Sequence, residues 1–247
     1  MVTGMGKSWT TPPEKGKPNA QYNLARSDSL AIRVAGMMRR RMYERFLTVG
    51  RVTPTETILD VGVTNERSYD SSNYLEAWYP HKSRLTAGGL DDARFLETEH
   101  PGVRFVFANG KALPFRGNAF DVVHSSAVLE HVGSRAEQTQ FIGELFRVAR
   151  RLVCLTTPNR WFPVEVHTGI PLIHWLPATT FRFLLRSAGL SFFADEANLN
   201  LLGRSDLLGL CSQLGIQRAS VLGLRLGGWP SNLMLFLSKA RDSAATA

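Results

Sequence analysis

The sequence is short of cysteine, of long apolar runs and of acidic charge, and each shortage removes a class of protein. Cys154 and Cys211 are the two cysteines in 247 residues. They lie far apart in apolar surroundings, which excludes a disulfide framework. Neither has a partner at metal-ligand spacing, so both read as structural thiols of a reducing compartment and no metal is expected. No uninterrupted apolar run is long enough to span a bilayer. The amino terminus lacks the apolar core of a secretory signal. A cytoplasmic protein is expected, with contact at a membrane surface left open. Helix-turn-helix and zinc-finger spacings are missing, and no aromatic residues alternate with basic ones. A nucleic-acid partner is therefore not expected. No internal repeat is found.

What is present begins with charge. The formal net charge is +8, from 29 Lys and Arg against 21 Asp and Glu. Part of the excess sits in Arg39, Arg40 and Arg41, with Arg33 and Arg45 nearby. Two readings stand: a solvated helix face, or contact with something anionic such as a membrane surface or a phosphorylated carrier. Hydrophobic residues make up 44% of the chain, enough for one well-buried core. A mobile tail is expected over 1–26, one domain over 27–240, and a frayed tail over 241–247.

The organising stretch is TILDVGVTNERSYDSSN, Thr57 to Asn73. An apolar strand, Ile58 to Val61, carries Asp60 inside it and ends on Gly62. A polar loop follows, then a helix start at Asp70, Ser71 and Ser72. Open α/β sheets build ligand crevices with a strand, a glycine, a loop and a helix in this order, because glycine lets backbone approach a ligand closely. An ordinary buried strand with a tight turn explains the same residues. The first turn lacks the G-x-G-x-x-G of nicotinamide dehydrogenases.

The order of the remaining elements favours the crevice. A helix capped at Ser27 or Asp28 runs to about Thr48, with Leu30, Val34, Met37, Met38, Met42 and Phe46 as an apolar stripe for core packing. Helices are expected at 74–79, 93–99, 137–148 and 204–214. Strands are expected at 57–61, 84–89, 103–107, 119–125 and 152–156, then at 216–224 and 232–237 as an antiparallel pair at the sheet edge. Alternation at this spacing gives a parallel sheet with helices on both faces. Polar or small residues past the strand ends, Gly62, Asp91, Asn109, Ser125, Ser126, Pro158 and Asn159, should then line one crevice. Between Arg160 and about residue 200 the pattern breaks into aromatics and prolines. That segment reads as a lid over the crevice, or as a packing insertion.

Four stretches resemble the class I methyltransferases that use S-adenosylmethionine, in particular the type 11-like subgroup acting on small molecules. They are ILDVG at Ile58 to Gly62, LDD at Leu90 to Asp92, ANGKALPF at Ala108 to Phe115 and FDVVHSSAVLEHV at Phe120 to Val132. The segment ELFRVARRLVCLTTPN, ending at Asn159, resembles the helix and fifth strand that follow. The resemblance implies a Rossmann-like, seven-stranded, mostly parallel sheet with its last strand antiparallel and a lid insertion after the fifth strand. It implies S-adenosylmethionine as cofactor. Asp60 and Gly62 would frame its amino-acid end and Asp91 would accept from both ribose hydroxyls. Asn109 and Gly110 would meet the adenine edge with Leu113 nearby, and Ser125 would lie by the methionine portion. Two departures stand out. The loop after Gly62 is longer than usual and has no second glycine, leaving Thr64, Asn65 or Ser71 to make contacts. Asn109 replaces the usual Asp, and still offers a carbonyl acceptor.

Methyl transfer from a sulfonium is an in-line displacement that needs alignment and exclusion of water. A hydroxyl acceptor also needs a base. His167, in VEVHT, and His131, in LEHV, are the candidate catalytic residues, with Glu165 a third. Glu130-His131 also reads as a loop anchor, and His167 as a structural histidine. His124 and His174 read as packed. The aromatic lid suggests an acceptor with an apolar portion, and the charge a lipid-linked or phosphate-bearing one. Methylation on oxygen is expected. The alternative is a catalytically inactive, methyltransferase-like binding or regulatory subunit.

Overall fold

Ile58–Val61 is buried along its whole length, and successive residues of a strand point to opposite faces. The run therefore needs cover on both sides, which only a central parallel strand receives. In the computed structural model, which describes residues 30–67 and 71–239, it is the central strand β1. The expected tails, the cap at Ser27 or Asp28 and the helix start at Asp70 lie outside the described residues.

Four more parallel strands follow: β2 (Leu85–Gly89), β3 (Arg104–Phe107), β4 (Phe120–Ser126) and β5 (Ala149–Pro158). β6 (Ala219–Leu226) and β7 (Trp229–Ser238) complete a seven-stranded sheet of order β3-β2-β1-β4-β5-β7-β6. β7 inserts between β5 and β6 and is antiparallel to both. The expected architecture is therefore found, with β6 rather than β7 at the edge. The order reverses direction beside β1, where the chain leaves β3 at one edge and re-enters at β4. Such a switch point opens a crevice at the carboxyl ends of the strands.

Helices cover both faces: α1 (Leu30–Gly50), α2 (Tyr74–Trp78) and α3 (Phe95–Glu99) on one, α4 (Arg135–Val148) and α6 (Arg204–Gln213) on the other. Neighbouring residues sort cleanly between them. Ile58, Val122, Cys154 and Phe236 pack with Met42 and Phe46 of α1. Leu59, Val123, Val153 and Leu235 pack with Phe141 and Leu145 of α4. No described helix is long and apolar enough to cross a membrane.

Three of the departures from the expected elements have a plain physical reason. β5 begins three residues early because Arg150 and Arg151, polar in sequence, find partners there. Arg150 pairs with Asp121, and Arg151 donates to Glu56 at 2.6 and 2.9 Å. α4 begins at Arg135 because Ser134 and Glu137 close a capping box, each side chain meeting the other's backbone N–H. The lid contains a helix, α5 (Ala178–Ser187), not foreseen in the broken pattern. It buries Phe181 and Leu185 against Phe193, Leu199 and Leu201, a small core of the lid's own. Trp175 stacks on Trp229 at 6.2 Å, and Trp229 donates its indole N–H to the Trp161 carbonyl. These contacts fasten the lid to the β6–β7 turn.

Under β1 lies a polar string. Tyr74 Oη is 3.0 Å from His124 Nε2, and His124 Nδ1 is 2.7 Å from Asp60 Oδ1. Close by, Glu76 is fully buried and neither carboxyl oxygen has a hydrogen-bond partner. Burial first, and the negative charge of Asp60 second, push its carboxyl well above the ordinary 4.5. A carboxyl with a raised folded value binds its proton more tightly in the folded state, so stability falls as pH rises above 4.5 towards that value. Glu76→Gln should flatten this fall. From pH 5 to pH 8 the wild type is expected to lose stability relative to the variant, by up to about 1.4 kcal/mol for each pH unit that lies below the raised value. Chemical denaturation at the two pH values measures the difference.

Candidate active site

A cavity of about 850 Å³ opens at the carboxyl ends of β1, β2, β3, β4 and β5. That volume lies at the upper end of the ~300–1,000 Å³ of small-molecule sites. Gly62, Asp91, Asn109, Gly110, His131 and His167 line it. Asp60, Leu113 and Ser125 do not. Asp60 is held by His124 below the floor. Ser125 Oγ donates to the Val61 carbonyl at 2.7 Å. Leu113 is a core residue whose N–H donates to Glu144 Oε2.

The wall near the β2 and β3 ends is built for close approach. At Gly110 a Cβ would stand 2.2 Å from the Phe141 ring, so that ring packs against bare backbone. Asn109 Oδ1 accepts from the Lys111 N–H at 3.0 Å, closing a local turn. Asp91, just beyond β2, is half-buried, and burial raises its carboxyl above the ordinary value. Described residues of the long loop after Gly62 border the cavity. Asn73 holds the loop by accepting from the Thr64 N–H and donating to the Thr64 carbonyl, both at 3.0 Å. Thr64 and Glu66 thereby line the cavity rather than cross it.

Across β1, at the β4 and β5 end, four titratable side chains meet. Glu130 and His131 sit on a short turn after β4, and Glu165 and His167 come from the lid. His131 Nδ1 lies 2.7 Å from the Asn198 carbonyl, which only accepts, so Nδ1 carries the proton. His167 Nδ1 lies 2.7 Å from Glu165 Oε1. Thr168 donates to the other oxygen of Glu165, from N–H and hydroxyl, at 2.7 Å each. The two imidazole rings meet edge to face at 4.8 Å.

Electrostatics divides these groups. Burial, then the neighbouring His167, push His131 down to about 3, leaving a neutral ring at pH 7. Burial works against ionisation of Glu165, but hydrogen bonds from His167, the charge of His167 and the Thr168 contacts hold its carboxyl at about 2. Burial disfavours the charged form of His167 as well. The hydrogen bond and charge of Glu165, with Glu130 behind, nevertheless raise it above its ordinary value. Burial pushes Glu130 up.

The sequence pattern did not single out several lining residues. Val34, Ala35, Met38, Arg39 and Met42 of α1 face the cavity, so one end of a stripe expected to pack the core also borders the site. Their signal was the spacing 34/38/42 and 35/39, which sequence cannot separate from core packing. Ser126 lines the cavity where Ser125 was named. The two differ by one residue, and a one-residue step moves a strand side chain to the other face.

Residues 83–152 match the family model described as a methyltransferase domain. Among curated proteins none matches the sequence. Solved structures match the fold. Magnesium protoporphyrin IX methyltransferase from Synechocystis PCC 6803, with bound S-adenosylhomocysteine, is 15% identical with a TM-score of 0.53, over 90% of this chain and 92% of that one. A S-adenosylmethionine-dependent methyltransferase from Methanosarcina mazei is 17% identical with a TM-score of 0.51, over 78% and 96%. The CurJ carbon methyltransferase is 11% identical with a TM-score of 0.53 over 85% of this chain, which spans about half, 55%, of that protein. Residues 83–152 thus match a methyltransferase domain, and the chain as a whole shares the fold of these S-adenosylmethionine-dependent methyltransferases, with its crevice at the switch point of the sheet.

Proposed function

We propose that this protein methylates an oxygen of a small acceptor that carries an apolar portion, a lipid- or sugar-linked molecule being the class that suits the site. The observation that carries the reading is the polarity of one cavity. Asp91 stands on one side of β1 and the His131–His167 pair on the other, with Gly62 between them.

The residues fit S-adenosylmethionine. Gly62 and Gly110 both line the cavity and present bare backbone there. A carboxylate at Asp91 can take both hydroxyls of a ribose. Arg39, which also reaches Ser71 Oγ at 3.1 Å, offers a cation for an α-carboxylate, and Thr64 stands in for the missing second glycine. When bound, the cofactor supplies a methyl group on a positively charged sulfur. The chain's own tasks are to hold the acceptor in line, keep water out and take the acceptor's proton. Phe162, Val164 and Val166 of the lid give the acceptor end an apolar wall. The neutral His131 ring is placed to orient the hydroxyl, and His167, whose basicity Glu165 raises, to receive its proton.

Isothermal titration with S-adenosylmethionine and with its demethylated product tests this reading. Stoichiometric binding of both is expected. Absence of heat with either ligand would remove the proposal.

A further inference from the structure

We infer that Glu130, His131 and His167 form a binding site for one divalent transition-metal ion, of the kind imidazole favours, facing the acceptor end of the cavity. Each residue offers one donor atom, and the three atoms lie within 4.8 Å of one another. Two histidines and one carboxylate suit zinc, cobalt or iron(II) better than magnesium or calcium, which prefer oxygen alone.

Each side chain is oriented from behind in the way metal ligands are. The Nδ1–H of His131 donates to the Asn198 carbonyl at 2.7 Å, directing Nε2 inward. The Nδ1–H of His167 donates to Glu165 Oε1 at 2.7 Å, again directing Nε2 inward. Metal-bound histidines usually give their other N–H to a carbonyl or a carboxylate. Glu130 Oε2 accepts from Thr157 Oγ1 at 2.8 Å. Its Oε1 is fully buried with no hydrogen-bond partner, 4.0 Å from His131 Nε2. An orphaned carboxylate oxygen in the protein interior is costly, and a cation bonded to it would remove that cost. Metal bonds of about 2.0–2.2 Å set tetrahedral donors roughly 3.3–3.6 Å apart, so the three atoms would close by about an ångström.

Three protein ligands leave a coordination position open towards the cavity, the pattern of catalytic rather than structural sites. On the methyl-transfer reading above, that position would take the acceptor's oxygen. Coordination would lower the pKa of the acceptor hydroxyl, which would give its proton to solvent before methyl transfer, so neither ligating histidine is needed as a base when the ion is bound. His167 is then a ligand, and Glu165 positions it. No metal is expected from sequence because neither cysteine has a partner at ligand spacing, and His167 lies far along the chain from Glu130 and His131. The lid brings the third to the first two.

Untagged, chelator-treated full-length protein should be titrated with Zn²⁺ alone by calorimetry and with Co²⁺ alone by visible absorption. One ion per chain is expected, with the intense Co²⁺ bands of a low-coordinate nitrogen and oxygen site. Glu130→Gln, near-isosteric and able to keep the Thr157 bond, and His167→Ala should each weaken binding beyond about 100-fold, and Glu165→Gln by about 10-fold. No uptake of either ion, or unchanged affinity in Glu130→Gln, overturns the site. Should Glu130→Gln fail to fold, His131→Ala gives the same discrimination. Binding of S-adenosylmethionine is measured separately on the same protein. Metal uptake without cofactor binding sinks methyl transfer and leaves the site standing. Cofactor binding without metal uptake does the reverse.

Discussion

Asp91→Ala is expected to weaken S-adenosylmethionine binding by about 100-fold, while the apo protein keeps its thermal stability. The proposed carboxylate contacts are two charge-assisted hydrogen bonds, each worth about 1.5–3 kcal/mol. Shared contacts rarely add fully, so a combined loss near 3 kcal/mol is taken, and every 1.4 kcal/mol is tenfold. Asp91→Asn keeps one carbonyl acceptor and should lose about tenfold. The folded protein gives an independent sign. Burial raises the Asp91 carboxyl above its ordinary value, so its ionised form is held at some expense to the apo fold. Removing that charge should leave the unfolding midpoint unchanged or raise it. A residue that weakens the empty protein yet serves the ligand is what function at the cost of stability looks like. Calorimetric titration beside thermal unfolding reads both effects. Unchanged cofactor affinity in Asp91→Ala would take the ribose role away from this residue.

Gly62→Ala should be strongly destabilising. Gly62 has φ +102°, and a Cβ there would stand 2.2 Å from Val128 Cγ2. Positive-φ strain costs about 1–3 kcal/mol, and overpacking a filled position typically adds about 1–3 kcal/mol. A total of roughly 2–5 kcal/mol is a large share of the ~5–15 kcal/mol that holds a domain folded. Two controls separate the causes. Gly215, after α6, has φ +68° and nothing within 4 Å of a built Cβ, so Gly215→Ala isolates backbone strain at about 1 kcal/mol. Val128→Ala in the Gly62→Ala background should recover the steric part, seen as coupling in a double-mutant cycle. If Gly62→Ala unfolds like Gly215→Ala, Val128 does not close over the turn after β1.

That Gly62 and Asp91 line the cavity was legible in the sequence because local chemistry marks them. Gly62 ends an apolar strand, and Asp91 follows another in a polar run. Asp60, Leu113 and Ser125 stood in equally suggestive positions, yet Asp60 is tied to His124 and Ser125 to the Val61 carbonyl beneath the cavity floor. Leu113 is spent on the α4 face of the core. A motif fixes which residues cluster at a strand end. Whether a side chain looks up into the cavity or down into the sheet depends on register and on the partner across the strand.

The sequence alone determined the alternation of strands and helices, and so the parallel sheet, its carboxyl-end crevice and the resemblance to methyltransferases. Periodicity and strand-end residues are local properties that survive without tertiary contacts. Only the tertiary structure decided that α1 borders the cavity, that the lid folds its own helix and core, and that His167 is brought from the lid to Glu130 and His131. Those placements are long-range. They rest on burial of lid aromatics such as Phe181 and Phe193, and on hydrogen bonds such as His131 to Asn198 and Thr157 to Glu130, which join residues that no local spacing relates.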